Sequence, residues 1–362
     1  MRSPLPVLGY PLPVLYWGGL VWTSPKMLTA KQVLAARPER MSDKPKILVT
    51  RRHLAATEDR LAAGYDAVIN TDDHIMDADE LVAAADGMDA LLICVTEPMD
   101  AATIDCLPET VRTILTLSVG LDHIDTDAAK ARGIAVLNTP DAVTNPTAEI
   151  GMLLLLGAAR RAAEGAAMMR AGEWTSWSPR QMIGKEITGS ALGVFGMGRI
   201  GQTVADRARA FDMTIRYHNR TRLSFDQEKS ASYYTSVEGL LPASPFFVIC
   251  APSTPETKGF LNAERIALLP DGAIVVNIAR GELIDDDALV DALRSGKVAA
   301  AGLDVFNGEP NDIHPAYLDL PNVFITPHIG SGAERSRAAM GDMLLDGLDL
   351  LIAGEPVPNR VV

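Results

Sequence analysis

The segment Leu192-Gly193-Val194-Phe195-Gly196-Met197-Gly198-Arg199-Ile200-Gly201 constrains this chain of 362 residues more than any other. A short apolar run there passes through G-x-G-x-x-G straight into helical composition. In a strand–turn–helix unit the glycines serve different ends. Gly196 permits the tight turn, Gly198 lets the backbone approach a pyrophosphate, and Gly201 lets the helix pack closely on the strand. A helix opening at Arg199 and Ile200 aims unpaired N–H groups and partial positive charge at that anion. A glycine-rich turn without a ligand fits the same letters, but the strand, helix and second strand around them fall where a dinucleotide site needs them.

The end of the next strand bears on which dinucleotide. An NAD site usually places Asp or Glu about 20 residues beyond the glycines to hold the ribose hydroxyls. Here the chain reads Tyr217-His218-Asn219-Arg220-Thr221-Arg222. A carboxylate is missing, and Asn219, Arg220, Thr221 and a second guanidinium stand in its place. Those groups suit the 2′-phosphate of NADP through charge-assisted hydrogen bonds. NADP is the expected cofactor, and a basic turn that tolerates NAD is the competing reading.

Around this unit, short apolar runs alternate with helical stretches, the pattern of parallel sheets wrapped by helices. Strands are expected over 46–50, 67–69, 90–95, 113–117 and 135–137. A second series follows over 191–195, 213–217, 246–250, 273–277, 299–303 and 323–326. Between the series, residues 147–169 carry Ile150, Met152 and the run Leu153-Leu154-Leu155-Leu156 without proline, which reads as one long buried helix connecting two domains. A final helical segment, 333–353, is expected to return to the first domain. The division is then a flavodoxin-like substrate domain, 44–145 and 327–362, with a Rossmann cofactor domain, 146–326, inserted into it.

Residues 1–43 stand apart. Met1 to Trp22 is apolar but broken by Pro4, Pro6, Pro11 and Pro13, short of the roughly 20 uninterrupted apolar residues of a spanning helix. Met41-Ser42-Asp43-Lys44-Pro45 reads as a natural start, so the preceding residues are expected to be an extension outside the fold or to lie upstream of the true start. No membrane association is expected. The formal net charge of −13 argues against nucleic acid as a partner, since phosphate binding needs a dominant basic surface. Cys94, Cys106 and Cys250 are scattered and form no C-x-x-C pattern, so neither a disulfide framework nor a metal site is expected, and a reducing cytoplasm fits.

Four further motifs complete the reading: Val276-Asn277-Ile278-Ala279-Arg280-Gly281-Glu282-Leu283-Ile284-Asp285, Ala301-Gly302-Leu303-Asp304-Val305-Phe306, Glu309-Pro310 and Thr326-Pro327-His328-Ile329-Gly330-Ser331. They resemble, in order, those of the D-isomer-specific 2-hydroxyacid dehydrogenases, and within them the glyoxylate and hydroxypyruvate reductases most. The resemblance runs from about Lys46 to the C-terminus. It implies reduction of a small 2-keto acid to the D-2-hydroxy acid by NADPH, in a cleft between two domains of a homodimer.

Such a reduction needs an anchor for the substrate carboxylate and a proton for the developing alkoxide. Arg280 follows a strand end, where open α/β sheets bind ligands, and its planar fork can grip a carboxylate while polarising the adjoining carbonyl. His328 also follows a strand, and imidazole is the usual proton donor near neutral pH. The resemblance assigns Glu309 as the carboxylate that favours the charged imidazole, at a position where formate-oxidising relatives carry Gln. Singly, these three could be a helix cap, a loop charge and a structural histidine; on matching motifs at strand ends they read as one catalytic set.

The resemblance also points to the N–H groups of Val119 and Gly120, in Ser118-Val119-Gly120-Leu121-Asp122, as contacts for the substrate carboxylate. It places Thr147, Ile278, Asp304 and Gly330 beside the cofactor, Thr147 having a helix N-cap as its plain alternative. Trp177 is expected either to reach a neighbouring subunit's site or to be a buried anchor. His53, His74, His123, His218 and His314 carry no assignment. Two rivals are a dinucleotide-sensing scaffold of the corepressor kind, disfavoured by the complete catalytic set, and an NAD-linked or phosphoglycerate-type dehydrogenase, disfavoured by the missing acidic residue.

Overall fold

Apolar residues occupy both faces of most strands, as a parallel sheet covered on both sides requires. The computed structural model describes residues 44–362, so the expectations for 1–43 lie outside the described residues. Five strands, β1 (Lys46–Val49), β2 (Asp66–Ile69), β3 (Ala90–Ile93), β4 (Thr113–Thr116) and β5 (Ala135–Leu137), form a parallel sheet in the order β2-β1-β3-β4-β5. This is the flavodoxin-like winding. Successive side chains alternate between its two cores: Ile47 and Val49 join Leu92, Leu115 and Leu137, while Leu48 joins Leu91, Ile93 and Ile114.

Seven strands form the second sheet: β6 (Ala191–Phe195), β7 (Thr214–His218), β8 (Ser232–Tyr233), β9 (Phe246–Ile249), β10 (Ala273–Asn277), β11 (Val298–Leu303) and β12 (Val323–Ile325). All pairs are parallel, in the order β12-β11-β10-β9-β6-β7-β8. The winding reverses between β6 and β9, which is where such sheets open a crevice at their carboxyl ends. The sequence predicts six strands here. The seventh, β8, is a two-residue edge strand, too short to show a period of its own.

One predicted element is in fact two. Helix Thr144–Ala159 breaks at Arg161, whose φ of 57° is left-handed, and the chain resumes as Ala162–Ala171. The cause is tertiary. The Ala159 carbonyl accepts a hydrogen bond from the Lys185 N–H at 2.7 Å, and Gly184 lies so close that a side chain there would collide with Ala159 and Arg160. The first of these helices buries Leu154 and Leu155 against Val194, Val276 and Ile278 of the seven-stranded side. At the other end, helix Glu334–Ala353 packs Leu344, Leu345 and Leu348 into the core of the five-stranded sheet, beside Ile47, Leu61 and Leu137.

Among the described residues, no helix is long and apolar enough to cross a membrane and no acidic, histidine or cysteine cluster could hold a metal ion. The three cysteines are unpaired, and burial pushes the thiols of Cys94 and Cys250 up to about 12, which leaves them unreactive.

Candidate functional site

The glycine turn follows β6. Gly196 has a φ of 91°, and a side chain on it would collide with the Ala251 main chain. Gly201 backs onto the Gly196 carbonyl, so a side chain there would force the helix off the strand. A Cβ on Gly198, by contrast, would meet nothing. The N–H groups of Gly198, Arg199 and Ile200 have no acceptor among the described residues, and they stand at the start of helix Arg199–Arg209, 11 residues long. Free donors, the positive end of a helix and no side chain in the way make a cradle that fits a pyrophosphate. The Arg199 side chain turns aside to Asp141 at 2.6 Å.

At the end of β7 the four expected residues divide. Asn219 faces inward: its Oδ1 accepts from the Met197 N–H at 2.6 Å and ties the strand end to the glycine turn. Arg222 is already engaged, with Nε and Nη2 donating to Glu228 at 2.7 and 3.0 Å. Glu228 also accepts from the Tyr217 hydroxyl at 2.6 Å, and Arg222 with Tyr217 holds its carboxyl down at about 2. Exposed Arg220 makes no hydrogen bond or ion pair among the described residues, and Thr221 lies beside it. One free guanidinium therefore stands at this turn, where the sequence counts two. Glu228 lies six positions beyond Arg222 with no motif to mark it.

The neighbouring strands β10, β11 and β12 deliver the remaining groups from their carboxyl ends. Adjacent strands lie about 4.8 Å apart, so residues leaving their ends share one edge. Arg280 leaves three positions past the end of β10. Buried Asn277 holds that turn, donating from Nδ2 to the Arg280 carbonyl at 2.8 Å and accepting from the Ala279 N–H at 3.0 Å. Gly281 abuts the Phe306–Asn307 backbone so closely that no side chain fits. From that loop Glu309 reaches His328: Oε1 lies 2.5 Å from Nδ1, while Oε2 accepts from the Phe306 N–H at 2.9 Å. His328 Nε2 has no partner among the described residues, and the side chain is 35% exposed.

Asp304, 1% exposed, is the post that holds this histidine. Its carboxylate accepts from the N–H groups of Ile329 and Gly330 at 2.9 and 2.8 Å and from the Thr326 hydroxyl at 2.6 Å. Its carbonyl accepts from the His328 N–H at 2.8 Å. Burial raises the Asp304 carboxyl, against the pull of those donors. Thr147 is no N-cap, since its helix begins at Thr144; its hydroxyl donates to the Gly330 carbonyl at 3.2 Å. Ile278, 6% exposed, packs against Gly151 of the same helix. Thr147, Asp304 and Gly330 thus form one cluster behind the His328 turn.

The five-stranded sheet contributes the loop after β4. The N–H groups of Val119 and Gly120 have no acceptor among the described residues, while the Gly120 carbonyl accepts from Ser118 Oγ at 2.7 Å and the Val119 carbonyl from Asn138 Nδ2 at 3.0 Å. Arg280 Nη2 lies so close to Gly120 that a side chain there would displace the guanidinium. Beside it, Arg280 Nε donates to both oxygens of Asp122 at 3.1 Å, and Nη2 lies 3.0 Å from Oδ1. Sequence alone gives Asp122 no role, although it ends the loop motif. Trp177 is 76% exposed, so within this chain it anchors no core.

The family described as "D-isomer specific 2-hydroxyacid dehydrogenase, NAD binding domain" matches residues 152–330. The glycerate dehydrogenase of Hyphomicrobium methylovorum is 47% identical over 313 residues, covering 86% of this chain and 97% of that protein. This chain belongs to the D-isomer-specific 2-hydroxyacid dehydrogenase family. Two solved structures of the family show how far the likeness extends beyond the matched segment. A glyoxylate reductase from Paecilomyes thermophila superposes with a TM-score of 0.79 at 34% identity, over 88% of this chain and 98% of that one. The NADPH-dependent glyoxylate/hydroxypyruvate reductase of Sinorhizobium meliloti, in complex with NADP and malonate, superposes with a TM-score of 0.76 at 29% identity, over 88% and 97%. The fold is the one the sequence predicts for this family, two doubly wound parallel sheets with a Rossmann cofactor unit.

Proposed function

We propose that this dehydrogenase is an NADPH-preferring reductase of small 2-keto acids, glyoxylate and hydroxypyruvate among them, acting in the cytoplasm as a homodimer. The observation that carries the reading is the Glu309–His328 pair, with Nε2 left open on the same strand-end edge as Arg280. The cofactor domain, 146–326, would hold the dinucleotide on the Gly196–Gly201 cradle, with Arg220 and Thr221 toward a 2′-phosphate, and 44–145 with 327–362 would form the substrate domain. The bound cofactor supplies a hydride to the carbonyl carbon. Arg280 and the free N–H groups of Val119 and Gly120 grip the substrate carboxylate, and the guanidinium polarises the carbonyl. His328 gives its Nε2 proton to the oxygen as the alkoxide forms, and Glu309, fixed at Nδ1, stabilises the charged ring before that transfer.

A second reading has its own observation. Because Glu228 holds Arg222, only one guanidinium remains for a 2′-phosphate, which favours an NAD-linked enzyme acting in the direction of the glycerate dehydrogenase relative. Steady-state kinetics with NADPH and NADH over a panel of 2-keto acids separates the two. NADPH preferred by tenfold or more in kcat/KM supports the first, equal use or NADH preference supports the second, and consumption of neither removes both.

A further inference from the structure

We propose that Asp122 is a positioning residue for the reduction: reaching over from the loop after β4, its carboxylate fixes the Arg280 guanidinium side-on and turns the far fork of that group toward the substrate. This rests on the reading that Arg280 receives the carboxylate of a 2-keto acid.

A guanidinium has five N–H groups in a rigid plane, so its free donors can be counted. The Nε–H is shared between both Asp122 oxygens at 3.1 Å, and Nη2 lies 3.0 Å from Oδ1 along the same edge. Nη1 gives one of its N–H groups to the Ala279 carbonyl at 2.8 Å. Three of the five donors are therefore occupied, and one N–H on Nη1 and one on Nη2 are left for a carboxylate. Gly120 lies so close to Nη2 that any side chain there would displace the guanidinium.

Asp122 is itself held in place. Its loop is braced by Ser118 Oγ on the Gly120 carbonyl and by Thr116 Oγ1, which lies 2.9 Å from both Ser118 Oγ and His123 Nε2. Burial works against the Asp122 carboxylate, yet the hydrogen bonds and charge of Arg280 outweigh it and keep the group below its ordinary range. A charged partner is thus present throughout the neutral range. An alternative use of the same contact is a latch, in which Asp122 occupies the place of the substrate carboxylate and must leave before it binds. The two differ in which face of the guanidinium serves the substrate.

Asp122→Ala and the isosteric Asp122→Asn are assayed beside wild type, Arg280→Ala and the Asp122→Ala/Arg280→Ala double variant. Positioning predicts a fall in kcat of about 10- to 100-fold for Asp122→Ala, the range that misplacement of a catalytic group causes. Asp122→Asn, which keeps an acceptor for Nε, falls less. NADPH affinity stays within twofold of wild type in both. In the Arg280→Ala background the Asp122 change costs no more than about twofold further, because its effect passes through the guanidinium. Unchanged kcat in both single variants, or a lowered KM with kcat kept, overturns the proposal in favour of a latch. A full additive loss in the double variant overturns it as general structural damage. If Asp122→Ala does not fold, Asp122→Asn decides by the same criteria. A wild-type enzyme that reduces no 2-keto acid overturns the underlying function as well, so the two failures are told apart.

Discussion

His328 sits at a φ of 50°, a backbone region few residues other than glycine adopt, and it stays there because its N–H, its ring and the two residues after it are all tied to Asp304 or Glu309. That aims Nε2 into the open while Nδ1 is held, as a proton donor needs. Exchange of the ring for an amide, His328→Gln, is expected to lower kcat for keto-acid reduction by about 10²- to 10⁴-fold. A kcat within about twofold of wild type would show that another group donates. Glu309→Gln keeps an acceptor at Nδ1 but removes the charge, so a smaller loss, about ten- to hundredfold, is expected in the same assay. The motifs point to Glu309 and His328, and the structure brings the two together. What was not legible is who holds whom: Asp304 reads in sequence as a cofactor contact, and its carboxylate also holds the histidine turn.

At the scale of elements, glycines show where two pieces of backbone must touch. Gly281 presses against the Phe306–Asn307 backbone, which joins the Arg280 turn to the loop carrying Glu309. Gly281→Ala is expected to push these apart, lowering kcat by at least about tenfold while NADPH affinity changes little, since the cradle at Gly196–Gly201 follows β6, two strands away from β10. Titration of cofactor fluorescence alongside turnover separates the two effects, and equal losses in both would mean the change spreads through the sheet. Strand-to-helix alternation, the glycine turn and the strand-end residues could be read from local chemistry alone. The helix break at Arg161 could not, because neither glycine nor proline marks it and its cause, the Lys185 N–H on the Ala159 carbonyl, comes from far along the chain. Capture of Arg222 by Glu228 escaped for a different reason, since the partner is only six positions away but no motif marks it. Arg220→Ala is therefore expected to raise the KM for NADPH about tenfold or more, with Arg222→Ala changing it less.

Over the whole molecule, stability against acid has an identifiable source where the C-terminal helix meets the first sheet. His53, in the loop after β1, has a buried Nε2 with no partner among the described residues, and burial pushes its ring down to about 4. The groups facing it are Glu58, which accepts from the His53 N–H at 2.9 Å, together with Asp73 and Glu97, which favour the charged ring, and Arg337 of the C-terminal helix, which opposes it. The ring is neutral in the folded protein and gains a proton on unfolding once the pH falls below its ordinary value of about 6.5. The folded state then binds fewer protons than the unfolded chain, so stability is full above that pH and declines as pH falls toward 4. The shift corresponds to roughly 3 kcal/mol at the lower end of the window. Glu58, held at about 2 by Arg52 and the His53 N–H, loses its contribution only at lower pH, below the ordinary carboxylate range, so the two effects separate. Urea midpoints between about pH 4 and 7 should fall with acidification in wild type and fall much less in His53→Gln, whose amide takes up no proton. Parallel slopes for the two proteins would place the acid sensitivity elsewhere.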